Sequence, residues 1–439
     1  ELVETIQMTI SFLCAADIHL GRRTSRLPRE VDNGECSPAA AWFRLVDKAV
    51  ELAVDGVLLA GDLVDEDNQY FEGRGKLQSG VRKLVENGIQ VVAIAGNHDY
   101  ELLVRLARDI DGFKLLGAGG KWEEYGIEKD GRVALLLHGW SFPSRHFRED
   151  PLAGYPFNQD SKTPSLGLLH CDLDAGSSIY APVSSAELSS TPEAAWVLGH
   201  IHHPGLSAQG SQPIFYCGSP QGLDPSECGW HGAWLLKVKE SGVVEREQVQ
   251  VAGMRWDVCQ ADLSTATDRP SFEERLASAC TGRLEELGEE LDDLRALGLR
   301  VQLIGATEVH GKLPQLLANI EIDDLTTERE GLISFVDKVK DRTRPRLDLK
   351  RLSGGGSPVA TLARDLLLLE SKQPLTEYKV LIEEAKSQIE RQIGDGIQFA
   401  QVSDDISLDE EQVRALLQSA GFRALEMLLA TRDGLEKTK

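Results

Sequence analysis

Five short motifs stand out for what their residue types could do together: Asp17-Ile18-His19, Gly61-Asp62-Leu63-Val64-Asp65, Gly96-Asn97-His98-Asp99, His170, and Gly199-His200-Ile201-His202. Hydrolysing a phosphodiester near neutral pH needs a hydroxide nucleophile, neutralisation of the charge that builds on the phosphoryl oxygens, and help for the departing oxygen. A pair of divalent cations held roughly 3.5 to 4 Å apart can supply all three. One aspartate can offer an oxygen to each ion, while neutral imidazoles and a side-chain amide fill the remaining positions without adding negative charge that repels phosphate. Each motif taken alone has an ordinary explanation, such as a turn, a cap or a hydrogen-bonded histidine. The set in its order is the signal, because every member follows a strand-like apolar run.

Those runs are Ile10 to Ala16, Gly56 to Ala60, Gln90 to Ala95, Val133 to Leu137, Leu166 to Leu169, Ala195 to Leu198 and Pro213 to Cys217. Between the first two, Trp42, Leu45, Val46, Ala49, Val50 and Ala53 recur at helical spacing over Ala41 to Val54. Apolar runs alternating with amphipathic stretches predict an α/β core of buried strands covered by helices. In open α/β sheets the carboxyl ends of strands line one crevice, so residues far apart in sequence converge there. Five of the ten histidines occupy such strand ends.

With these motifs the sequence resembles the calcineurin-like metallophosphoesterases, and among them the DNA-repair exonuclease branch with its SbcD-like and YhaO-like nuclease subunits. The resemblance spans about residues 8–250. It implies a phosphoesterase β-sandwich flanked by helices and two divalent metal ions, with manganese the expected metal. By resemblance Asp17, His19, Asp62 and His202 would hold the first ion, and Asp62, Asn97, His170 and His200 the second, with Asp62 as the bridge. His98 would stabilise or protonate the leaving group and Asp65 would orient it. Asp99 receives no role beyond its turn.

Other residues are set aside. His138 ends an apolar run and reads as a buried, hydrogen-bonded histidine. His203 and His231 read as loop-shaping residues, and Cys171 as a small buried hydrophobe. Seven cysteines, an odd number without a C-x-x-C pair, predict a reduced, cytoplasmic chain. No run reaches the ~18 to 20 apolar residues needed to span a bilayer, so no membrane association is expected.

A formal net charge of -23 argues against coating nucleic acid by bulk electrostatics, so any grip on DNA must be local or borrowed from a partner. Arg22 and Arg23, with Arg26 and Arg29, follow the first ligand pair and are candidates to meet backbone phosphates. A second basic cluster comprises Lys338, Lys340, Arg342, Arg344, Arg346, Lys350 and Arg351.

Beyond the core, residues 251–352 read as a small α/β capping domain with strands at Trp256 to Leu263 and Leu299 to Gly305. Helices are predicted at Ser271 to Leu287 and around Lys312 to Ile320. The turn Ser353-Gly354-Gly355-Gly356-Ser357-Pro358 introduces a helical region, 353–439. Its last segment opens on the capping-box pattern Ser407-Leu408-Asp409-Glu410 and then places Val413, Leu416, Leu417, Ala420, Leu425, Leu428 and Leu429 largely on one face. The resemblance implies that these helices dock on an SMC-like coiled-coil ATPase, and it also implies a homodimer. No P-loop segment is present, so an ATP-driven step would belong to another chain. The leading expectation is a metal-dependent DNA nuclease subunit. The alternatives are a phosphodiesterase or phosphatase for nucleotides or phosphoproteins, and a scaffold that recruits a coiled-coil ATPase.

Overall fold

The computed structural model describes residues 8–31, 34–65, 70–158, 163–206, 212–320, 325–371, 376–395 and 409–436. The chain first lays down β1 (Thr9–Ala15), β2 (Gly56–Ala60), β3 (Gln90–Ile94) and β4 (Phe113–Leu115), separated by α1 (Pro38–Glu51), α2 (Tyr70–Glu86) and α3 (Tyr100–Asp109). Then come β5 (Glu123–Lys129), β6 (Arg132–Gly139) and β7 (Ser165–His170), a short ladder of β8 (Asp172–Leu173) with β9 (Pro182–Val183), and α4 (Ser185–Ser189). The strands β10 (Ala195–Gly199), β11 (Gly205–Leu206), β12 (Ile214–Tyr216), β13 (Ala233–Lys239) and β14 (Val244–Val249) follow.

These strands make two six-stranded mixed sheets, ordered β14-β13-β1-β2-β3-β4 and β11-β12-β10-β7-β6-β5. Side chains alternate across a strand, and the burial pattern follows that alternation. Phe12, Cys14, Leu58, Ala60, Val92 and Ile94 of the first sheet meet Leu135, Leu137, Leu166, Leu168, Val197 and Phe215 of the second in one core. Leu13, Ala15, Val57, Leu59, Val91 and Ala93 point the other way, against Trp42, Leu45, Val46 and Ala49 of α1 and Leu77, Val81 and Leu84 of α2. Burial on both faces is why these strands read as continuous apolar runs. The outer face of the second sheet is covered by Trp140, Phe142, Leu188, Trp196 and neighbours. The architecture is the expected α/β sandwich flanked by helices.

Helix α1 is capped by Ser37, whose hydroxyl accepts from the Ala40 amide, and carries Pro38 in its first turn. It ends at Glu51 rather than near Val54, because Ala53 takes a left-handed conformation (φ 48°) that stops the helix.

Further along, β15 (Met254–Asp262), α5 (Arg269–Leu287), β16 (Ala296–Ile304), β17 (Ala306–Thr307), α6 (Leu313–Ala318), β18 (Thr327–Arg329), β19 (Leu332–Asp341) and β20 (Arg344–Pro345) precede four helices. These are α7 (Leu349–Leu352), α8 (Pro358–Ser371), α9 (Thr376–Asp395) and α10 (Glu410–Glu436). The strands β15, β16, β19 and β18 form a four-stranded sheet in that order, and β17 pairs with β20. By compactness the chain divides into a first unit (Glu1–Cys259, Arg283–Arg300, Ile322–Lys338) and a second (Gln260–Gly282, Val301–Glu321, Val339–Lys439).

In the second unit Leu349, Ala363, Leu366, Leu369, Tyr378, Ile382, Val413, Phe422 and Leu425 pack into one cluster. Of the expected cap on α10, Ser407 and Leu408 lie outside the described residues. The reciprocal pair is Asp409 with Gln412: the Gln412 amide donates to the Asp409 carboxylate at 2.7 Å, and the Asp409 amide to Gln412 Oε1 at 3.0 Å. Of the predicted stripe, Val413 and Leu425 are buried, whereas Leu416 and Leu428 are exposed. Among the described residues no helix is long and apolar enough to cross a membrane, and all seven cysteines are free.

Candidate metal centre

The strands β1, β2 and β3 run parallel in the first sheet, as do β7 and β10 in the second, so each pair of neighbours ends on the same side. Asp17 and His19 follow β1, Asp62 and Asp65 follow β2, and Asn97 and His98 follow β3. His170 closes β7, while His200 and His202 follow β10. The loops after β1 and β2 are laced together: the Asp17 amide donates to the Gly61 carbonyl, His19 to Asp62 and Leu20 to Leu63, each at 2.9 to 3.0 Å.

The backbone here is bent into conformations that side chains disfavour. Asp17, His19, Asp62 and His200 have φ of 52°, 49°, 53° and 104°. Left-handed non-glycine residues each cost on the order of 1 to 3 kcal/mol and persist only where surrounding structure holds them. Four of them at the ends of three strands mark a place where side-chain direction outweighed backbone comfort. Gly96 shows how close the loops come, since a Cβ on it would lie 2.1 Å from Asp62 Oδ1 and 2.7 Å from the Asp62 amide.

The polar atoms that result face one another across a buried space. His19 Nε2 lies 3.1 Å from His202 Nε2 and 3.9 Å from Asp62 Oδ2. His170 Nε2 lies 3.4 Å from Asp62 Oδ2 and 3.2 Å from Asn97 Oδ1. Two groups have ligand atoms all within 4.8 Å of one another: Asp17 with His19 and His202, and Asp17 with Asp62 and His170. His200 sits beside them with its ring 5.3 Å from that of His170, and its amide donates to the Asp17 carboxylate at 3.1 Å. Asp17, His19, Asp62, Asn97 and His170 are all buried.

Two of the imidazoles are oriented from behind. His170 Nδ1 donates to the Ala60 carbonyl (2.9 Å) and His202 Nδ1 to Glu227 Oε1 (2.8 Å), which turns both Nε2 atoms inward. An outer hydrogen bond of this kind fixes the tautomer and orientation of metal-binding histidines. His19 Nδ1 is buried without a hydrogen-bond partner, and its Nε2 confronts that of His202. Facing imidazole nitrogens beside carboxylate oxygens fit divalent cations and make poor hydrogen-bonded structure.

Burial with mixed charges spreads the titrations widely. Burial pushes the Asp17 carboxyl up to about 6, although the neighbouring His170 and His202 oppose it. Burial acts the same way on Asp62, but His170, His19 and His98 outweigh it and hold that carboxyl well below the usual range. Burial depresses His19 well below the ordinary imidazole value and takes His200 down to about 3. For His170 burial is overcome by Asp62 and Asp17, and it rises to about 9. Such spreading accompanies functional sites.

His98 is half-buried. Its ring stands edge-on to His19 at 5.3 Å, and its amide donates to Asp62 Oδ1 at 2.9 Å. The Asp65 carboxylate lies 4.0 Å from His19 Nδ1 and 3.4 Å from Arg22 Nε. Arg22 and Arg23, with Arg26, line a cavity of about 520 Å³ that reaches Ser37 and Ala39 at the start of α1.

Two residues take on roles that the motifs did not assign. Glu227, which orients His202, also accepts from the Leu223 amide at 2.7 Å. Its position twenty-five residues beyond His202, in a loop without a strand-end signature, leaves no trace in spacing. Asp99 is completely buried and accepts from the amides of Leu63 (2.6 Å) and Gly96 (2.8 Å), so it fastens the loop after β2 to the loop after β3. The set-aside residues have other settings: His138 bonds to Glu193 and Glu124, and His231 to Ser219.

Parallel strand ends carry this donor set, and residues 10–204 match the family of calcineurin-like phosphoesterases. The chain is 28% identical over 280 residues to the Bacillus subtilis (strain 168) protein named Uncharacterized metallophosphoesterase YhaO, covering 58% of this chain and 64% of that one. It is 30% identical over 229 residues to the DNA double-strand break repair protein Mre11 of Aeropyrum pernix, covering 48% and 53% of the two chains. It is 24% identical over 253 residues to one of the subunits of the nuclease SbcCD of Escherichia coli (strain K12), covering 49% and 62%. The chain thus spans between about half and just under two-thirds of the length of these curated relatives.

Proposed function

We propose that this protein is a metal-dependent DNA nuclease that hydrolyses phosphodiester bonds with two divalent cations, manganese by preference, as a DNA-repair subunit acting with an SMC-like coiled-coil ATPase. The observation that carries the reading is the convergence of donor atoms from five strand ends on one buried space. Asp17, His19 and His202 would hold one ion, and Asn97, His170 and His200 the other, with Asp62 between them. When bound, the cations would neutralise charge growing on the phosphoryl oxygens and make a hydroxide nucleophile accessible near neutral pH. The two carboxylates, Asp17 and Asp62, leave two such cations with net positive charge for a phosphodiester to meet.

The remaining work falls to the chain itself. The His98 loop is pinned through its amide to Asp62, which sets the imidazole at the edge of the centre where it can deliver a proton to the leaving oxygen. Asp65 serves as the orienting carboxylate of this corner and steadies Arg22, from which the basic rim of Arg22 and Arg23 continues toward the DNA backbone. Residues 353–439 meet the ATPase, a role favoured by Leu416, Met427 and Leu428, which α10 leaves exposed.

The test is degradation of linear DNA by the full chain in manganese. EDTA and Asp62→Ala should abolish turnover, and His98→Ala should lower it by about 10² to 10⁴ with DNA binding retained. The net charge of -23 repels a polyanion more than a small anion and so favours a second reading, a phosphodiesterase for nucleotides. Turnover of cyclic nucleotides that an excess of linear DNA fails to inhibit would select that second reading.

A further inference from the structure

The second unit contains a cleft of about 420 Å³ that shares no residue with the metal centre. It is formed by the segment from Asp341 to Pro345, by His310, and by Gln418, Ser419, Phe422, Arg423 and Glu426 of α10. Its polar groups can be followed one by one. Asp341 Oδ1 accepts from the Thr343 amide at 2.8 Å and from the Thr343 hydroxyl at 2.7 Å. That hydroxyl has then given its only proton, so His310 Nδ1, 2.6 Å away, is the donor to Thr343 Oγ1. His310 Nε2 lies 3.1 Å from Glu426 Oε1.

Arg344 is fixed on two sides, donating to Glu370 Oε1 at 2.7 Å while its guanidinium lies 4.6 Å from the centre of the Phe422 ring. Every acid at the cleft therefore has a partner. Arg342 and Arg423 do not: neither guanidinium has an ion pair or hydrogen bond among the described residues. These two guanidiniums line one cleft with the neutral donors Ser419 and Gln418 and with the Asp341 carboxylate, which Thr343 already engages.

We propose that this cleft is a binding site for a phosphate-bearing ligand of nucleotide size, with Arg342 and Arg423 as its phosphate ligands and Arg344 as the braced base of the wall. The guanidinium fork matches phosphate oxygens in a bidentate geometry, and arginine keeps its charge at any physiological pH. In a chain of net charge -23 the long-range field repels anions, so a phosphate is retained only where local guanidiniums outweigh that field within a Debye length. The volume exceeds what a lone phosphate needs and lies in the range of small-molecule sites. The shared chemistry is the phosphate monoester, supplied either by a free nucleotide or by the 5′ end of a nucleic-acid strand. Since α10 forms one side of the cleft, an occupant would also tie the last helix to the strand ends of its own unit.

The experiment measures binding of a fluorescein-labelled, 5′-phosphorylated 12-mer to the full chain, with manganese and again in EDTA, with AMP as competitor. The expected result is saturable binding in both buffers, weakened about tenfold by Arg342→Gln/Arg423→Gln, as loss of charge-assisted hydrogen bonds predicts. Arg346→Gln, whose guanidinium pairs with Glu308 outside the cleft, should bind as the parent does. Competition by AMP assigns the site to free nucleotides, and binding that AMP does not displace assigns it to strand ends. Equal affinity of the double variant and the parent, or a loss seen only when manganese is present, would overturn the proposal. Circular dichroism of both variants checks that they are folded. The outcome is independent of the nuclease reading, because cleavage is silent in EDTA.

Discussion

Two histidine clusters in the first unit are both buried, both rich in carboxylates and both built on strands of the same sandwich, yet they are chemically opposite. Around His138 every ring nitrogen is used: Nδ1 meets Glu193 at 2.7 Å, Nε2 meets Glu124 at 3.2 Å, and the ring stacks on Phe157 with centroids 3.8 Å apart. Tyr155 donates to the same Glu193 carboxylate. Around His19, His170 and His202 two rings are held from behind, yet the Nε2 atoms of His19 and His202 confront each other at 3.1 Å and His19 Nδ1 has no hydrogen-bond partner. Burial and residue type are shared, so neither separates a structural histidine from a candidate ligand. The direction of the second nitrogen does.

The sharpest way to break this contrast is to fill the space the candidate metal centre depends on. Gly96→Ala puts a methyl against Asp62, whose amide and carboxylate cannot both retreat, and should cost about 1 to 3 kcal/mol with loss of tight manganese binding. Gly75→Ala on α2, where an added Cβ meets nothing within 4 Å, should instead stabilise by about 0.5 to 1 kcal/mol through helix propensity. Thermal unfolding with manganese titrations reads both, and a Gly96→Ala protein with parental metal affinity would show that the centre has slack the geometry denies.

A second test isolates orientation from ligation. Glu227→Gln keeps the shape of the side chain behind His202 but removes its charge, so manganese affinity measured by calorimetry should fall about 10- to 100-fold, with little change in the unfolding temperature of the metal-free protein. Unchanged affinity would reduce Glu227 to a loop residue.

The smallest effect belongs to the satisfied cluster. His138 is raised above its ordinary value of 6.5, because Glu193 and Glu124 outweigh the effect of burial, and burial raises Glu193 above 4.5 against the pull of His138. Both groups hold protons more tightly folded than unfolded. Their contribution is therefore full at low pH, begins to fade as the pH rises past the ordinary glutamate value, and is lost as it rises through the raised histidine value. His138→Gln/Glu193→Gln should flatten the decline in unfolding temperature between about pH 5 and pH 8. An unaltered slope would mean that the pair titrates alike in both states.

The fold was most legible where strands are buried on both faces. The runs at Gly56–Ala60 and Ala195–Gly199 sit almost where the apolar pattern puts them, because a strand between a sheet and a layer of helices must be apolar throughout. The strands β5 and β14 escaped notice for the converse reason. Glu123–Lys129 and Val244–Val249 lie at sheet edges with much of their surface in water, so their polar sequences carry no strand signal. Helix ends were displaced by a few residues for local reasons, as at Ala53 and Asp409.

What the sequence determined by itself was the cast and the order of the candidate centre: aspartates, histidines and an asparagine placed just after successive apolar runs, because strand ends are where a sheet can deliver side chains to a common space. What tertiary structure alone decided was who supports them. Glu227 behind His202, Asp99 between two loops and the left-handed turns at Asp17, His19 and Asp62 are set by approach between chain segments up to nearly two hundred residues apart. Linear spacing carries no record of such distances. The same limit applies to Arg342 and Arg423, eighty-one positions apart, which only the fold brings to one cleft.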